Sequence, residues 1–458
     1  MQLRPTGRLA RFGPAAWLPA AAALFLAGCS LLEPPQGPII PTAPPVVEAV
    51  DFSDLVLVVN PSSPTLTPAV DPEIEALLGA VSQQQLTAYV RTLEAFGTRH
   101  TLSEIQSPTT GIGAARQWIY DEFLRVNSGA LQVSFDDFAV NVAGFESGQR
   151  NVIAELPGIS GYPGMYVLMA HYDSRNEDPD DGTGRAPGAN DNATGVAILL
   201  ELARLMSSRS WNQTVVFAAF AAEEQGTFGS RHYVQNMLLS GRAFAAAINN
   251  DIVGGRAGVP LAIRAFAPGP DTSPSRAFVR YVDLVGGLYL PAFRVDRVDA
   301  ADRAGRYGDQ REFHNVGIAA ARFTEYEEDF SSQHNMGDTS DKLGFDYLRQ
   351  VAQLDLAVLA NLAGAPIPPA VPIVAPMADP GGYILTWQPD SAAAGYAISF
   401  RPVGSPEFPP FRFVATSEAG NIAFTGLDPN VNYAVSMAAL DINGRISNFS
   451  PEVIIGPS

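Results

Sequence analysis

The stretch MYVLMAHYDS, residues 165–174, decides the fold class, because an uninterrupted apolar run ends there in a cluster of polar side chains. The next periodic stretch places Val196, Leu199, Leu200 and Ala203 on one face of a helix. A second apolar run, TVVFAAFAA at residues 214–222, follows that helix. Apolar strands that alternate with amphipathic helices are typical of an α/β domain whose sheet is covered on both faces. The sequence therefore predicts a central sheet flanked by helices.

The same alternation extends outward in both directions. Upstream, Ser82 and Gln85 form a capping-box pattern at the start of a helix, and a second helix follows it. Downstream, the apolar residues 318–326 predict a late strand, and the period of residues 347–362 predicts a last helix. We therefore predict a single α/β domain over residues 76–363.

A proline-rich linker, residues 364–376, precedes a tail with a different pattern. Short alternating strands over residues 377–458 predict an all-β sandwich. Trp387 in an early strand, and Leu427 ahead of Tyr433, resemble a fibronectin type III domain, in which such a Leu and Tyr build a tyrosine corner. We expect a structural or targeting module, and the sequence assigns no protein or glycan partner to it.

The N-terminal residues predict export. Three arginines precede the apolar stretch AAWLPAAAALFLA at residues 15–27, which is typical of a secretory signal peptide over residues 1–28. The following LAGC resembles a bacterial lipobox, which implies that Cys29 is lipidated after cleavage. Residues 29–75 are rich in proline and predict an extended tether. The expected location is the cell envelope, with a lipid anchor in the membrane; it is the outer membrane or the cell surface if the organism has two membranes.

Charge and composition exclude several classes of function. The chain carries 47 acidic against 29 basic residues, a net charge of −18, so it would repel nucleic acid. Forty-seven per cent of the residues are hydrophobic, which is typical of a globular protein. No apolar run approaches the roughly 20 residues of a membrane-spanning helix.

Histidines and acids lie just beyond the predicted strands, at the edge of the sheet where open α/β proteins place their sites. These residues are His171, Asp173, Asp191, Glu223, Glu224, Asp251 and His334. Nitrogen and oxygen donors without a thiol suit zinc, with cobalt or manganese as substitutes. Three ligand carboxylates and one bridging hydroxide would together balance the charge of two divalent cations. One acid of the Glu223–Glu224 pair is then free to transfer protons.

Five motifs in order carry a family resemblance: HYDS, GANDNATG, AAEEQGTFGS, NNDIVG and HNMGDT. They resemble the co-catalytic zinc aminopeptidases, metallopeptidase family twenty-eight, which also contains glutamate carboxypeptidase, the transferrin receptor and the glutaminyl cyclases. The resemblance covers residues 82–362 and implies the mixed sheet of a zinc exopeptidase. It also implies two zinc ions per chain and a non-proline cis peptide after Asp191. The pair Asn190-Asp191 stands where the family usually has two aspartates.

The resemblance implies a role for each matching residue. His171 and Asp251 bind one zinc, Glu224 and His334 bind the other, and Asp191 bridges them. Glu223 is then the general acid and base, and Asp173 is the hydrogen-bond partner of His171. Gly308-Asp309-Gln310 departs from the Ser-Asp-His of some relatives, so the resemblance carries no substrate role to that position.

Three functions follow from this sequence. The first is an aminopeptidase that acts on peptides with a free N-terminus. The second is a glutaminyl cyclase with one zinc, held by Asp191, Glu224 and His334. The third is a surface binding protein with an inactive peptidase domain, which the intact ligand set disfavours. The side-chain preference of the substrate pocket does not follow from the sequence.

Overall fold

The computed structural model describes residues 66–457 and shows the predicted α/β domain. Its helices are α1 (Pro72–Gly79), α2 (Gln83–Ala95), α3 (Gly111–Val126), α4 (Thr194–Met206), α5 (Phe228–Leu239), α6 (Pro274–Tyr289), α7 (Gln310–His314) and α8 (Phe345–Gly364). Its strands are β1 (Gln132–Val142), β2 (Phe145–Leu156), β3 (Gly164–His171), β4 (Thr214–Phe220), β5 (Ala243–Asn250), β6 (Ala262–Phe266), β7 (Arg294–Val298) and β8 (Ala320–Glu325). The predicted signal peptide, Cys29 and most of the predicted tether lie outside the described residues.

The eight strands form one mixed sheet in the order β1-β2-β4-β3-β5-β8-β6-β7. Strand β3 is parallel to both of its neighbours, β4 and β5, and all of its residues are buried. The antiparallel pairs lie towards the two edges, where β2 joins β1 and β4, and where β6 joins β8. The mixed sheet predicted for a zinc exopeptidase fold is confirmed, and the long apolar run at residues 165–171 is its centre.

Local sequence explains the helices that cover the sheet. Ser82 accepts a hydrogen bond from the amide of Gln85 at 3.1 Å and so begins α2 where the capping pattern predicts. Helix α1 begins at Pro72, before the predicted domain boundary at residue 76, because Ile74 and Leu77 are buried in the domain core. None of the helices between residues 66 and 457 combines the length and apolar character that a membrane crossing requires.

The C-terminal part is built from two antiparallel sheets, consistent with the predicted sandwich. The strands are β9 (Ile373–Pro376), β10 (Tyr383–Thr386), β11 (Gly395–Pro402), β12 (Arg412–Ala415), β13 (Asn421–Phe424), β14 (Tyr433–Leu440) and β15 (Val453–Ile455). They pair in the orders β13-β10-β9 and β12-β11-β14-β15. Strand β9 lies within the predicted linker. The hydroxyl of Tyr433 accepts a hydrogen bond from the amide of Asp428 at 3.1 Å. The fibronectin type III assignment stays a prediction.

The C-terminal part packs closely against the α/β domain rather than standing apart from it. Leu440, Ile446 and Phe449 belong to the same hydrophobic cluster as the peptidase-like core. The backbone carbonyl of Ile446 accepts hydrogen bonds from the Tyr281 hydroxyl at 2.8 Å and from the Asn361 side chain at 3.0 Å. Helices α6 and α8 therefore form a docking face for the C-terminal sheets.

Candidate metal centre

The predicted ligand residues converge at the carboxyl ends of the parallel strands. His171 is the last residue of β3, Asp251 follows β5, and Glu224 lies just after β4. Asp191 lies in the kinked segment Ala189–Ala193 that precedes α4, where its own backbone and that of Asn192 are not helical. His334 comes from the loop between β8 and α8. The ends of neighbouring parallel strands meet at one edge of the sheet, which explains why residues far apart in sequence share one site.

The first cluster contains His171, Asp191 and Asp251, all of which are buried. The Nε2 atom of His171 lies 3.2 Å from Oδ1 of Asp191 and 3.6 Å from Oδ1 of Asp251. One nitrogen and two carboxylate oxygens at this spacing can coordinate the same divalent cation.

The second cluster contains Asp191, Glu224 and His334. The Nε2 atom of His334 lies 3.1 Å from Oδ2 of Asp191 and 3.4 Å from Oε2 of Glu224. Asp191 therefore presents one carboxylate oxygen to each cluster, as a bridging ligand does. One nitrogen and two carboxylate oxygens in this group fit a divalent cation, and the second oxygen of Glu224, Oε1, is buried without a hydrogen-bond partner among the described residues.

The backbone around Asp191 is held by side chains that the ligand motifs alone do not predict. The Asp338 carboxylate accepts hydrogen bonds from the amides of Asn190 at 2.8 Å and Asp191 at 2.9 Å. The Asp191-Asn192 peptide bond is cis, as the family resemblance predicts. The Asn192 side chain donates to the carbonyl of Asn250 at 2.7 Å. Asp338 belongs to the HNMGDT motif, which is the only sequence signal of its position.

Asp173 has a different contact from the one that the resemblance implies. Its Oδ1 atom is 3.7 Å from Nδ1 of His171, beyond hydrogen-bond distance, and Nδ1 instead lies 3.1 Å from the backbone carbonyl of Asp173. The carboxylate of Asp173 accepts hydrogen bonds from the backbone amides of Glu223 at 3.1 Å and Glu224 at 3.0 Å. The carboxylate–histidine bond that the resemblance implies stays a prediction, because the two side chains are in contact at 3.7 Å while the turn after β4 brings two backbone donors closer to the carboxylate. Asp173 positions the Glu223–Glu224 pair.

Glu223 lies beside both clusters but belongs to neither donor group. Its Oε2 atom is 3.9 Å from Nε2 of His171. Burial raises the pKa of the Glu223 carboxyl well above its usual range, and the negative charges of Asp309 and Asp251 act in the same direction, against His171. A buried carboxyl with a raised pKa next to a cation site is suited to accept and return a proton.

The clustered charges shift the pKa values of the ligand residues as well. Burial opposes the charged form of Asp191, but hydrogen bonds from His171 and His334 hold its pKa well below the usual range. Burial raises the pKa of Glu224 to about 7. The pKa of His171 is raised well above its usual value, because the surrounding carboxylates outweigh burial. Cation binding at this site must therefore displace protons, so its affinity depends on pH.

Two arginines that sequence patterns did not single out contact the ligand residues. Arg322 lies in β8, is buried, and places Nη1 2.9 Å from Oδ2 of Asp251. Arg175 follows the HYDS motif and donates from Nε to Oε2 of Glu224 at 2.9 Å. The one available signal for Arg322 is a charged residue within an otherwise apolar strand, which requires a buried acidic partner.

A cleft of about 190 Å³ opens over the two clusters. Its far side is formed by the loop after β7, which contributes Arg303, Arg306 and Tyr307. Asp309, at the end of this loop, is buried, and neither of its carboxylate oxygens has a hydrogen-bond partner among the described residues. Gln310 accepts a hydrogen bond from Asn249 at 2.9 Å, so the residue that replaces the relatives' His has a contact within the domain.

Comparison with known proteins agrees with this geometry. Residues 151–359 match peptidase family M28. The chain is 35% identical over 382 residues to a probable zinc metalloprotease of Pyricularia oryzae, an alignment that covers 72% of this chain and 76% of the relative. The LapA aminopeptidase of Legionella pneumophila has a TM-score of 0.54 at 20% identity, covering 66% of this chain and 78% of its own. Porphyromonas gingivalis glutaminyl cyclase has a TM-score of 0.50 at 19% identity, covering 61% and 97%. The two solved structures share the fold of this chain.

Proposed function

The chain belongs to peptidase family M28, the zinc metallopeptidases, and we propose that it is an aminopeptidase with two zinc ions per chain. The observation that carries the proposal is the position of Asp191, which presents Oδ1 to His171 and Oδ2 to His334. A carboxylate shared in this way is the arrangement that a two-metal site requires. The proposed substrates are peptides with a free N-terminus.

The described residues fit both proposed ions. His171 and Asp251 would hold the first, Glu224 and His334 the second, and Asp191 would contact both. When bound, the zinc ions supply Lewis-acid polarisation of the scissile carbonyl and lower the pKa of a water molecule. The cleft of about 190 Å³ over these residues is where the proposed peptide end would bind.

Glu223 carries the proton transfers in this proposal. Its carboxylate accepts a proton from the attacking water and then donates it to the leaving amine. Asp173 accepts hydrogen bonds from the backbone amides of Glu223 and Glu224. It therefore fixes the position of the proton-transferring residue relative to a ligand residue. Arg322 contacts Oδ2 of Asp251, and the other carboxylate oxygen faces His171.

A second candidate function is glutaminyl cyclisation. The observation that favours it is that Asp191, Glu224 and His334 form a complete three-ligand group without the first cluster. A cyclase would need one zinc per chain in this group. The number of zinc ions in the active protein therefore separates the two functions.

The test is mass spectrometry of a mixed peptide set incubated with the zinc-loaded protein. The set contains peptides with free N-termini, the same peptides acetylated, and peptides that begin with Gln. Loss of single residues from free N-termini alone is the expected result, and it ranks the side-chain preference. Loss of ammonia from the Gln peptides alone would establish the cyclase instead, and no change in any peptide would leave an inactive binding protein.

We also propose that the mature protein is lipid-anchored in the cell envelope through Cys29, with the C-terminal sandwich as an accessory module. The support is the LAGC sequence that follows an apolar signal. Intact mass of the membrane-extracted protein tests this proposal. Acyl chains on an N-terminal Cys29 are expected, whereas a water-soluble protein with an unmodified N-terminus would overturn it.

A further inference from the structure

One arginine contacts each metal-binding cluster, and the two make opposite kinds of contact. Arg322 contacts Asp251 in the first cluster, and Arg175 contacts Glu224 and His334 in the second. Both guanidinium groups offer only hydrogen-bond donors and carry a permanent positive charge. The carboxylate oxygen that each one contacts therefore decides whether it supports or opposes a cation.

Arg322 contacts the first cluster through the carboxylate oxygen that points away from His171. Asp251 directs Oδ1 towards His171 at 3.6 Å, and Arg322 takes the other oxygen, Oδ2, at 2.9 Å. Asp302 holds the same guanidinium from the other side at 2.8 Å. The side chain of Arg322 is only 1% exposed, so it stays in place. The oxygen that faces the first cluster remains available to a cation.

Arg175 contacts its cluster on the ligand side. Its Nε atom donates to Oε2 of Glu224, which is the oxygen that lies 3.4 Å from Nε2 of His334. The other oxygen of Glu224 is the one left without a partner. Arg175 therefore occupies the carboxylate atom that faces the second cluster, and its charge lies where it repels a cation.

The contact between Arg175 and His334 points to the same conflict. The Nη2 atom of Arg175 lies 2.5 Å from Nδ1 of His334. A metal-binding imidazole usually donates its second N–H to an acceptor, and a guanidinium is not an acceptor. The guanidinium therefore occupies the position where the ring of a bound zinc ligand would have an acceptor, while Nε2 of the same ring faces Asp191 and Glu224.

We propose that Arg175 is a competing cation that makes the second zinc subsite weaker than the first. The inference rests on the proposed two-zinc function. The subsite of His171, Asp191 and Asp251 fills first, and the subsite of Asp191, Glu224 and His334 fills only when Arg175 leaves it. The side chain of Arg175 is 20% exposed and lies in the cleft wall, so it has a path towards solvent that Arg322 lacks. Occupancy of the second subsite then depends on the concentration of free zinc.

The experiment is a zinc titration of the full chain with buffered free zinc, with bound metal measured by elemental mass spectrometry and calorimetry. The wild type is expected to bind two ions in two separate steps. The Arg175→Ala variant should bind the second ion at least about tenfold more tightly, with the first step unchanged. Arg175→Lys keeps the charge and should keep the second step weak.

Arg306→Ala is the matched control, since Arg306 lines the same cleft and takes part in none of the described ion pairs. It should leave both steps as in the wild type. An Arg175→Ala protein whose second step is unchanged or weaker would overturn the proposal, because Arg175 would then support the site. Arg175→Gln, which removes the charge but keeps a long polar side chain, decides the matter if the alanine variant does not fold, and its second step should tighten as well. Two normal zinc steps without any peptide turnover would refute the aminopeptidase and leave this inference standing.

Discussion

The metal centre and the interface between the two domains both bury charged side chains, but they satisfy them differently. At the interface, Glu452 accepts from both Arg280 and Arg401, and Arg401 also contacts Asp271 at 2.5 Å. Each of these carboxylates has an arginine partner within the protein. At the metal centre, an oxygen of Glu224 has no partner among the described residues. At the interface two carboxylates, Glu452 and Asp271, face two arginines, whereas at the centre four acids (Asp191, Glu223, Glu224 and Asp251) share the contacts of only Arg175 and Arg322 among the arginines of the described residues.

This difference separates stability from function. A buried ion pair with all its partners holds two domains in one relative position, and its loss leaves charges without compensation. A cluster of carboxylates with too few partners destabilises the folded chain unless it binds cations, and that is why such clusters mark functional sites.

The largest effect is expected at the metal centre for Glu223→Gln. The amide keeps the shape of the side chain but cannot accept the proton of the attacking water, so kcat should fall by about 10³-fold. Zinc content should stay at two per chain, because Glu223 belongs to neither donor group. Steady-state kinetics and elemental analysis of the same sample measure both. The neighbouring variant Glu224→Gln is the control, and it should lose the second zinc. Wild-type turnover in Glu223→Gln would remove Glu223 from the proposed chemistry.

The next largest effect is expected at the interface for Glu452→Ala. The variant leaves the side chains of Arg280 and Arg401, which are 4% and 0% exposed, without their shared carboxylate. The free energy of unfolding should fall by about 3–5 kcal/mol in urea denaturation, with zinc content unchanged. Glu407→Ala is the control, because Glu407 pairs with Arg297 at the surface and its own side chain is 76% exposed. The loss of this pair should lower the free energy of unfolding by less than about 1 kcal/mol. Equal losses in the two variants would mean that the interface pairs stabilise no more than surface pairs.

A smaller effect is expected for Asp173→Ala, which removes the acceptor of two buried amides beside the metal centre. The lost hydrogen bonds should lower the free energy of unfolding by about 2 kcal/mol. Because the backbone of Glu223 and Glu224 is no longer held in place, kcat should fall about 10- to 100-fold. Asp173→Asn keeps one acceptor oxygen and should lie between the alanine variant and the wild type. A fall in stability with unchanged kcat would make Asp173 structural only.

The smallest effect on activity is expected at Asp355, a buried acid of α8 that belongs to neither donor group and contacts no arginine among the described residues. It accepts a hydrogen bond from Asn250 at 2.6 Å, and burial raises its pKa to about 8. An unfolded Asp has a pKa near 3.9, so the unfolded chain releases this proton first, and stability is lost as the pH rises from about 4 to about 8. Asp355→Asn removes this pH-dependent loss, so it should stabilise the protein more at pH 8 than at pH 5. Thermal unfolding at the two pH values measures it, and an equal gain at both would contradict the shift.

Much of the fold could be predicted from local patterns. The buried run at residues 165–171 is the central strand β3, and the helix that starts after Ser82 begins where its capping pattern places it. These features depend on residues that are adjacent in sequence, so the sequence carries their signal directly. Strands β6 and β7 have only five residues each, which is too short a stretch for a period to distinguish them from loops.

The positions of the candidate ligands could be predicted for the same reason. His171, Asp251 and Glu224 each end or follow an apolar strand, and parallel strands bring their ends together. The hydrogen-bond partner of Asp173 could not be predicted, because it depends on how closely the turn after β4 approaches β3. Arg175 and Arg322 were missed because an arginine has no period and its partner is distant in sequence.

The sequence by itself determined the α/β alternation, the family and the set of residues that reach the metal centre, because those depend on strand ends and on the order of motifs. The tertiary structure alone decided which oxygen of each carboxylate faces a cation and which faces an arginine. It also decided that the C-terminal sheets dock on α6 and α8 through Tyr281, Asn361 and the Glu452 ion pairs. The physical reason is that these contacts join residues separated by long stretches of chain, and their geometry is set only when the loops close.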